Sequence, residues 1–216
     1  MNYFLSAVMI SVLSVTSLAV PQSSRSLFDG RSLSGWKSAS GGGPARWKVE
    51  KGYLEVVPGT GDIETEETFG DFELQAEVWI PYLPERHGQD RGNSGFYLQG
   101  LYEVQILDGW ENETYPDGII GSLYKTIAPR VNASLPPEHW QTYDIVFRHP
   151  RLEGGKVVEN GVIDVTLNGV PVIERGEFSK PTGAASRKPM VERGPLRLQD
   201  HGSAVRFRGI RIRTLD

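Results

Sequence analysis

The chain has 216 residues, enough for one sizeable domain with its own core, and a formal net charge of −4 leaves no basic footprint for nucleic acid. It contains no cysteine, which excludes disulfides, thiolate metal sites and cysteine nucleophiles. Abundant Gly (25) and Pro (14), beside 5 Trp and 8 Tyr, suit an all-β protein with many turns.

Residues 3–20 carry no charge, and Ser17 and Ala19 place small side chains where a signal peptidase cuts. Residues 1–19 are therefore expected to be a signal peptide, with the mature protein exported to the periplasm or beyond. No Lys or Arg precedes the apolar run, so an uncleaved anchor is the alternative, and the membrane is a partner only in that case. A linker over 20–26 then leads into a single domain over 27–216.

Within that domain, LFDGRSLSGW (27–36) carries two Gly turns, and the three glycines at 41–43 mark a loop. Residues 46–58 alternate around Lys51-Gly52, which predicts a hairpin. Residues 71–81 give the cleanest period of two. Phe72, Leu74, Ala76, Val78 and Ile80 share one side, and Glu73, Gln75, Glu77 and Trp79 the other. After a polar loop, GNSGFYLQGLYEVQILDG (92–109) reads as two strands joined by a tight Gly-Leu turn. Asn93, Gly95, Tyr97 and Gln99 share a face of the first, and Glu103 and Gln105 a face of the second. Residues 110–121 form a loop of acids and aromatics, and 122–129 a short strand or turn. Residues 139–150 predict a strand that packs through Trp140, Tyr143, Ile145 and Phe147. Asn168-Gly169 marks a hairpin within 160–174. Residues 180–193 are irregular, and GPLRLQDHG and AVRFRGIRIRTL close the chain as strands. Ten or more short strands with no convincing amphipathic helix indicate a β-sandwich or barrel.

Three strands offer polar faces: Glu73/Gln75/Glu77/Trp79, Asn93/Tyr97/Gln99 with Glu103/Gln105, and Arg197/Gln199/His201. In one sheet they would make a single surface of acids, amides, Arg, His and aromatics. Carbohydrate clefts have that composition, because flat rings carry the sugar C–H surface and planar polar groups fix its hydroxyls. A solvated outer face is the plainer reading of such alternation. His201 is the side chain best suited to move protons near neutral pH. Glu103 and Glu77 offer carboxylates. The second carboxylate of an E-x-D-x-E glucanase strand is, however, replaced by Gln105 and Leu107, which argues against ordinary two-carboxylate hydrolysis. No cofactor is implied. Asp108, Glu111 and Asp117, with Glu113, form the one calcium candidate, against the plainer reading of a solvated acidic loop.

The ordered set LFDGRSLSGW, DFELQAEVW, GNSGFYLQGLYEVQILD, TYPDGIIGSLYK, PPEHWQTYDIVF and GPLRLQDHGSAVRFRGIRI resembles the 3-keto-disaccharide hydrolase family from about residue 27 to the C-terminus. The resemblance implies a concanavalin A-like jelly-roll sandwich of two antiparallel sheets. It also implies cleavage of glycosides whose sugar carries a C3 ketone. Such a ketone acidifies the C2 proton; a base removes it and the C1 aglycone leaves by β-elimination, the end point being either that elimination or, where water adds back, net hydrolysis. On this reading Glu103 and His201 are base and acid, in an order left open. Arg197, Gln105 or Asn93 bind the oxyanion or hydroxyls, with Glu77, Gln99 and Gln199 as further polar contacts, and Tyr97 and Trp79 pack on the sugar, which the resemblance implies to be a 3-keto glucoside. A non-catalytic carbohydrate-binding module is the alternative, and an envelope protein with a merely solvated polar face is the third reading.

Overall fold

The computed structural model describes residues 23–215. In chain order the strands are β1 (Arg25–Ser26), β2 (Trp36–Ser38), β3 (Lys48–Glu50), β4 (Tyr53–Glu55), β5 (Ile63–Thr65), β6 (Phe72–Trp79), β7 (Ser94–Leu98) and β8 (Tyr102–Ile106). They continue with β9 (Trp140–Arg148), β10 (Arg151–Glu153), β11 (Lys156–Glu159), β12 (Gly161–Leu167), β13 (Val170–Phe178), β14 (Arg197–Leu198) and β15 (Arg206–Thr214). Helix among the described residues is limited to three short 3₁₀ turns, Gly88–Asp90, Pro116–Gly118 and Gly183–Ala185. The expected signal peptide lies outside the described residues.

Two antiparallel sheets face each other. The larger runs β13-β12-β9-β6-β15-β4-β3, with β1 also on β15. The smaller runs β2-β5-β14-β7-β8. The alternation left a β-sandwich or a barrel open, and the sandwich that the resemblance implies is the observed architecture. Both hairpins marked in the sequence form. Lys51 and Gly52 adopt φ of 48° and 82°, and Asn168 and Gly169 adopt 52° and 77°, as a two-residue turn with both central φ positive requires.

The alternation decides what each strand gives the interior. Leu74, Ala76 and Val78 of β6 are buried, while Glu73, Gln75, Glu77 and Trp79 point outward. Phe96 of β7 meets Tyr143 of β9 edge-on at 5.3 Å and Phe207 of β15 at 5.7 Å. Tyr102 of β8 packs on Phe147 and Phe178 at 5.4 and 4.9 Å. Such aromatic contacts across the sandwich add about 0.5–1.5 kcal/mol each beyond area burial. Tyr143 Oη also donates to the Gln105 carbonyl at 3.0 Å, tying the sheets together at β8.

Trp140 corrects the packing set expected for β9. Its parity opposes that of Tyr143, Ile145 and Phe147, so it stands half-buried on the outer face, paired with Trp79. Residues 122–129 form tight turns, with Leu123 bridged to Val104 and Ile127.

Candidate active site

With Tyr102, Val104 and Ile106 turned inward, Glu103 and Gln105 must point out of the smaller sheet, as must Tyr97 across the hairpin. This outer face is not solvated. Residues 115–124 and 182–185 fold over it, so every residue of β7 and β8 is buried. A cleft of about 190 Å³ remains, lined by Asn93, Tyr97, Glu103, Gln105, Tyr124, Ala184, Gln199 and His201.

Glu103 is the cleft's buried acid, with 3% of its surface exposed. It faces Tyr97 across the ladder, and Tyr97 Oη donates to its Oε2 at 2.8 Å. Its backbone N–H donates to Thr182 Oγ1 at 2.7 Å, and its carbonyl accepts from the Tyr124 N–H at 2.9 Å. Two glycines make room for the carboxyl. A Cβ on Gly95 would sit 3.0 Å from Oε1, and one on Gly183 would sit 2.1 Å from Oε2. Burial pushes Glu103 up to about 7, and the charge of Asp62 adds to this. The hydrogen bonds from Tyr97 and Gln199 pull the other way. A carboxyl balanced near neutral pH can both take and return a proton. The Tyr97 hydroxyl is driven up, by burial first and by Glu103 second, so it remains a donor.

The amides beside it are fixed by a residue absent from the sequence reading. Gln89, in the first 3₁₀ turn, accepts from Gln105 Nε2 at 3.0 Å through its side chain and from Asn93 Nδ2 at 2.7 Å through its carbonyl. Gln89 is held in turn by Thr114 Oγ1 and the Gly118 carbonyl. Gln105 Oε1 and Gln199 Oε1 are buried acceptors without partners among the described residues. A buried unpaired acceptor costs about 1–3 kcal/mol, and a ligand hydroxyl would relieve it. Tyr124 was also missed. Its hydroxyl lies 2.6 Å from that of Tyr115, whose ring has the Lys125 ammonium 3.0 Å from its centroid.

A family model described as a 3-keto-alpha-glucoside-1,2-lyase-like domain matches residues 23–213. The chain belongs to that family. The 3-keto-disaccharide hydrolase of Bacteroides thetaiotaomicron is 25% identical over 230 residues, covering 88% of this chain and 78% of its own. A solved protein of Parabacteroides distasonis ATCC 8503, named as a candidate glycosyl hydrolase, superposes with a TM-score of 0.84 at 34% identity over 94% of both chains. A second such protein from that strain, at 22% identity and a TM-score of 0.67, covers 89% of this chain and 94% of its own and shows the shared fold. The family match, the Bacteroides relative and the first Parabacteroides protein together support a carbohydrate-active enzyme of the glycosyl hydrolase kind.

Of the residues singled out in this family member's sequence, Asn93, Tyr97, Glu103, Gln105, Gln199 and His201 come together in the cleft. His201 stands exposed at its rim, after Asp200, whose side chain accepts from the Gly61 and Gly202 N–H groups. Arg197 flanks the cleft without lining it. Its guanidinium sits 5.9 Å from the Tyr97 ring centroid and pairs with Glu64 at 3.3 Å.

Four expectations need correction. Glu77 and Trp79 lie on the opposite side of the sandwich, because β6 belongs to the larger sheet. There Arg208 holds Glu77 at 2.8 and 3.0 Å, and Arg206 covers the Trp79 ring at 4.0 Å, so both are engaged away from the Glu103 cleft. Gln99 leaves the strand at a φ of 52° and spends its amide on the carbonyls of Phe69, Gly70 and Glu192. The calcium set does not converge. Asp108 is paired with Arg91 at 3.0 Å and Asp117 with Lys125 at 3.7 Å. No group of three or more His, Asp or Glu able to hold a metal occurs among the described residues.

Proposed function

We propose that the cleft cleaves 3-keto glycosides, with Glu103 as the base that removes the C2 proton. The reading rests on one observation: the cleft is lined by a single carboxyl, balanced near pH 7, where ordinary glycosidases need two flanking the bond. A ketone at C3 removes the need for the second, because the chemistry becomes proton abstraction beside a carbonyl.

The C2–H electron pair forms the C1=C2 double bond, the C1–O bond breaks, and the proton passes to Glu103. His201 at the rim protonates the departing oxygen, at the mouth where an aglycone must leave. Tyr124, hydrogen-bonded to Tyr115, donates to the C3 oxygen as it gains charge. The free acceptors of Gln105 and Gln199 take sugar hydroxyls, and Tyr97 holds the Glu103 carboxylate toward the ring. Water adding across C1=C2 then gives the free 3-keto sugar. General acid–base assistance of this kind contributes about 10²–10⁴-fold, and donors preorganised for the oxyanion add to it.

The test is aglycone release from a 3-keto glucoside and from its unoxidised parent in deuterated water. The expected result is release from the keto compound alone, with deuterium at C2 of the hydrated product and loss of both in Glu103→Gln. Binding of intact glycans without release from either compound would make the protein a binding module instead. The leader reading of residues 1–19 places this activity outside the cytoplasm, and N-terminal sequencing of the mature protein should begin at Val20.

A further inference from the structure

The His201 ring makes no hydrogen bond among the described residues, so its aim at the cleft is set by the backbone that carries it. That backbone has just left a sheet. Arg197 and Leu198 of β14 pair with Glu64 and Ile63 of β5, and the same register carried outward would set Gln199 and Asp200 opposite Asp62 and Gly61. Beyond Leu198, side chains take over from the ladder to β5. The Asp200 N–H donates to Asp62 Oδ1 at 2.9 Å, and the Gly61 N–H donates to Asp200 Oδ2 at 2.9 Å. The other oxygen of Asp200 accepts from the Gly202 N–H at 3.0 Å, an Asx turn with His201 at its centre and Gly202 at a φ of 81°.

The clasp is anchored on both flanks. The Gln199 N–H donates to the Gly95 carbonyl at 3.0 Å, and Ser94 Oγ donates to the Gln199 carbonyl at 2.7 Å. The Asp62 carbonyl accepts from the Ala39 N–H at 3.0 Å, beside the end of β2. Asp62 enters the clasp as an acceptor. Burial pushes its carboxyl up, while the Asp200 N–H and the charge of Arg197 pull it down. Its own charge acts elsewhere, on Glu103. The two effects are separable, because Asn keeps an acceptor oxygen and drops the charge.

We infer that Asp62 is a positioning residue for the reaction: through Asp200 it holds the Asx turn that aims His201 at the departing oxygen. The inference rests on the proposed role of His201 as the acid. Asp62 does not line the cleft and touches no reacting atom, so it acts only through the geometry of the turn.

Leaving-group dependence separates this role from a merely structural one. Release of methanol and of nitrophenol from the matching 3-keto glucosides is compared at one pH in wild type, His201→Ala, Asp62→Ala and Asp62→Asn. Both substrates need ionised Glu103, so a change in its ionisation cancels in the ratio of the two rates. Nitrophenolate departs without a proton, whereas methoxide needs one. His201→Ala should lower the methyl-to-nitrophenyl ratio by about 10²–10⁴-fold, the contribution of a general acid. Asp62→Ala should lower it by about 10²-fold, as a displacement of about 1 Å does, and Asp62→Asn should restore it. Relaxation NMR reads the positioning without turnover. The order parameter of the His201 amide should fall from about 0.85 to below about 0.6 in Asp62→Ala and stay high in Asp62→Asn. A wild-type ratio in Asp62→Ala, a loss that Asp62→Asn does not restore, or a His201 amide as rigid in Asp62→Ala as in wild type would overturn the inference. An unchanged ratio in His201→Ala would overturn it together with the acid role on which it rests. Failure of the proposed function is seen separately, as no release from either keto glucoside by wild type, and the relaxation measurement then still decides the positioning.

Discussion

Replacing Glu103 with Gln should make the protein more stable at alkaline pH while abolishing turnover. The carboxyl sits between Gly95 and Gly183 with 3% of its surface exposed, and ionising it there costs free energy that the unfolded chain does not pay. Burial raises it from the ordinary 4.5 to about 7. Between those values the native state keeps a proton that the unfolded chain has lost. Stability therefore falls as pH rises through this window and levels off above about 7. At ~1.4 kcal/mol per pH unit the loss is about 3 kcal/mol. Gln keeps the shape and accepts the Tyr97 hydrogen bond without ever ionising. Its stability advantage over wild type should grow by about 3 kcal/mol between pH 4 and pH 8, a midpoint gain of roughly 1 M urea. Urea unfolding of both proteins across that range measures it directly, and effects of titrating groups not coupled to Glu103 cancel in the difference. A difference that does not change with pH would show that Glu103 ionises as a solvated carboxylate does, and would remove the basis for its role as the base.

The same carboxyl should set the pH profile. kcat/KM on a 3-keto glycoside should rise with pH through an apparent value of about 7, since only the ionised form accepts the C2 proton. Tyr97→Phe removes a hydrogen bond that favours the ionised form, so this limb should move to higher pH; a downward shift or none would refute that role. Gly183→Ala puts a methyl 2.1 Å from Glu103 Oε2 at a φ of 52°, and should cost about 1–3 kcal/mol in thermal or urea unfolding together with most of the turnover. Glu77→Ala breaks only a half-exposed ion pair on the far sheet, so it should leave kcat/KM unchanged and cost no more than about 1 kcal/mol of stability.

The contrast between Glu77 and Glu103 shows how much of the site was legible in the sequence. Both stand on clean period-two strands, and alternation correctly puts each on the polar face of its strand. Alternation is a property of one strand, however, and does not say which sheet the strand joins. That choice depends on pairings such as β6 with β9 and β15, whose partners lie far along the chain. Glu77 consequently meets Arg208, and Glu103 meets Tyr97. That Tyr97 and Glu103 stand on polar strand faces of one local hairpin was readable, but their direct pairing was not, because the turn takes up Gln99 as well as Gly100 and Leu101. Gln89 was not, because its place beneath Gln105 and Asn93 comes from a 3₁₀ turn inside a polar loop with no periodicity. Gly183 was hidden for the same reason, in a segment whose only sequence trait is irregularity. The acid on a hairpin could be read from residue types, but the conditions that tune it could not. They come from two irregular loops laid over the sheet, which exclude water from Glu103 and so turn an ordinary surface glutamate into a group able to exchange protons at neutral pH.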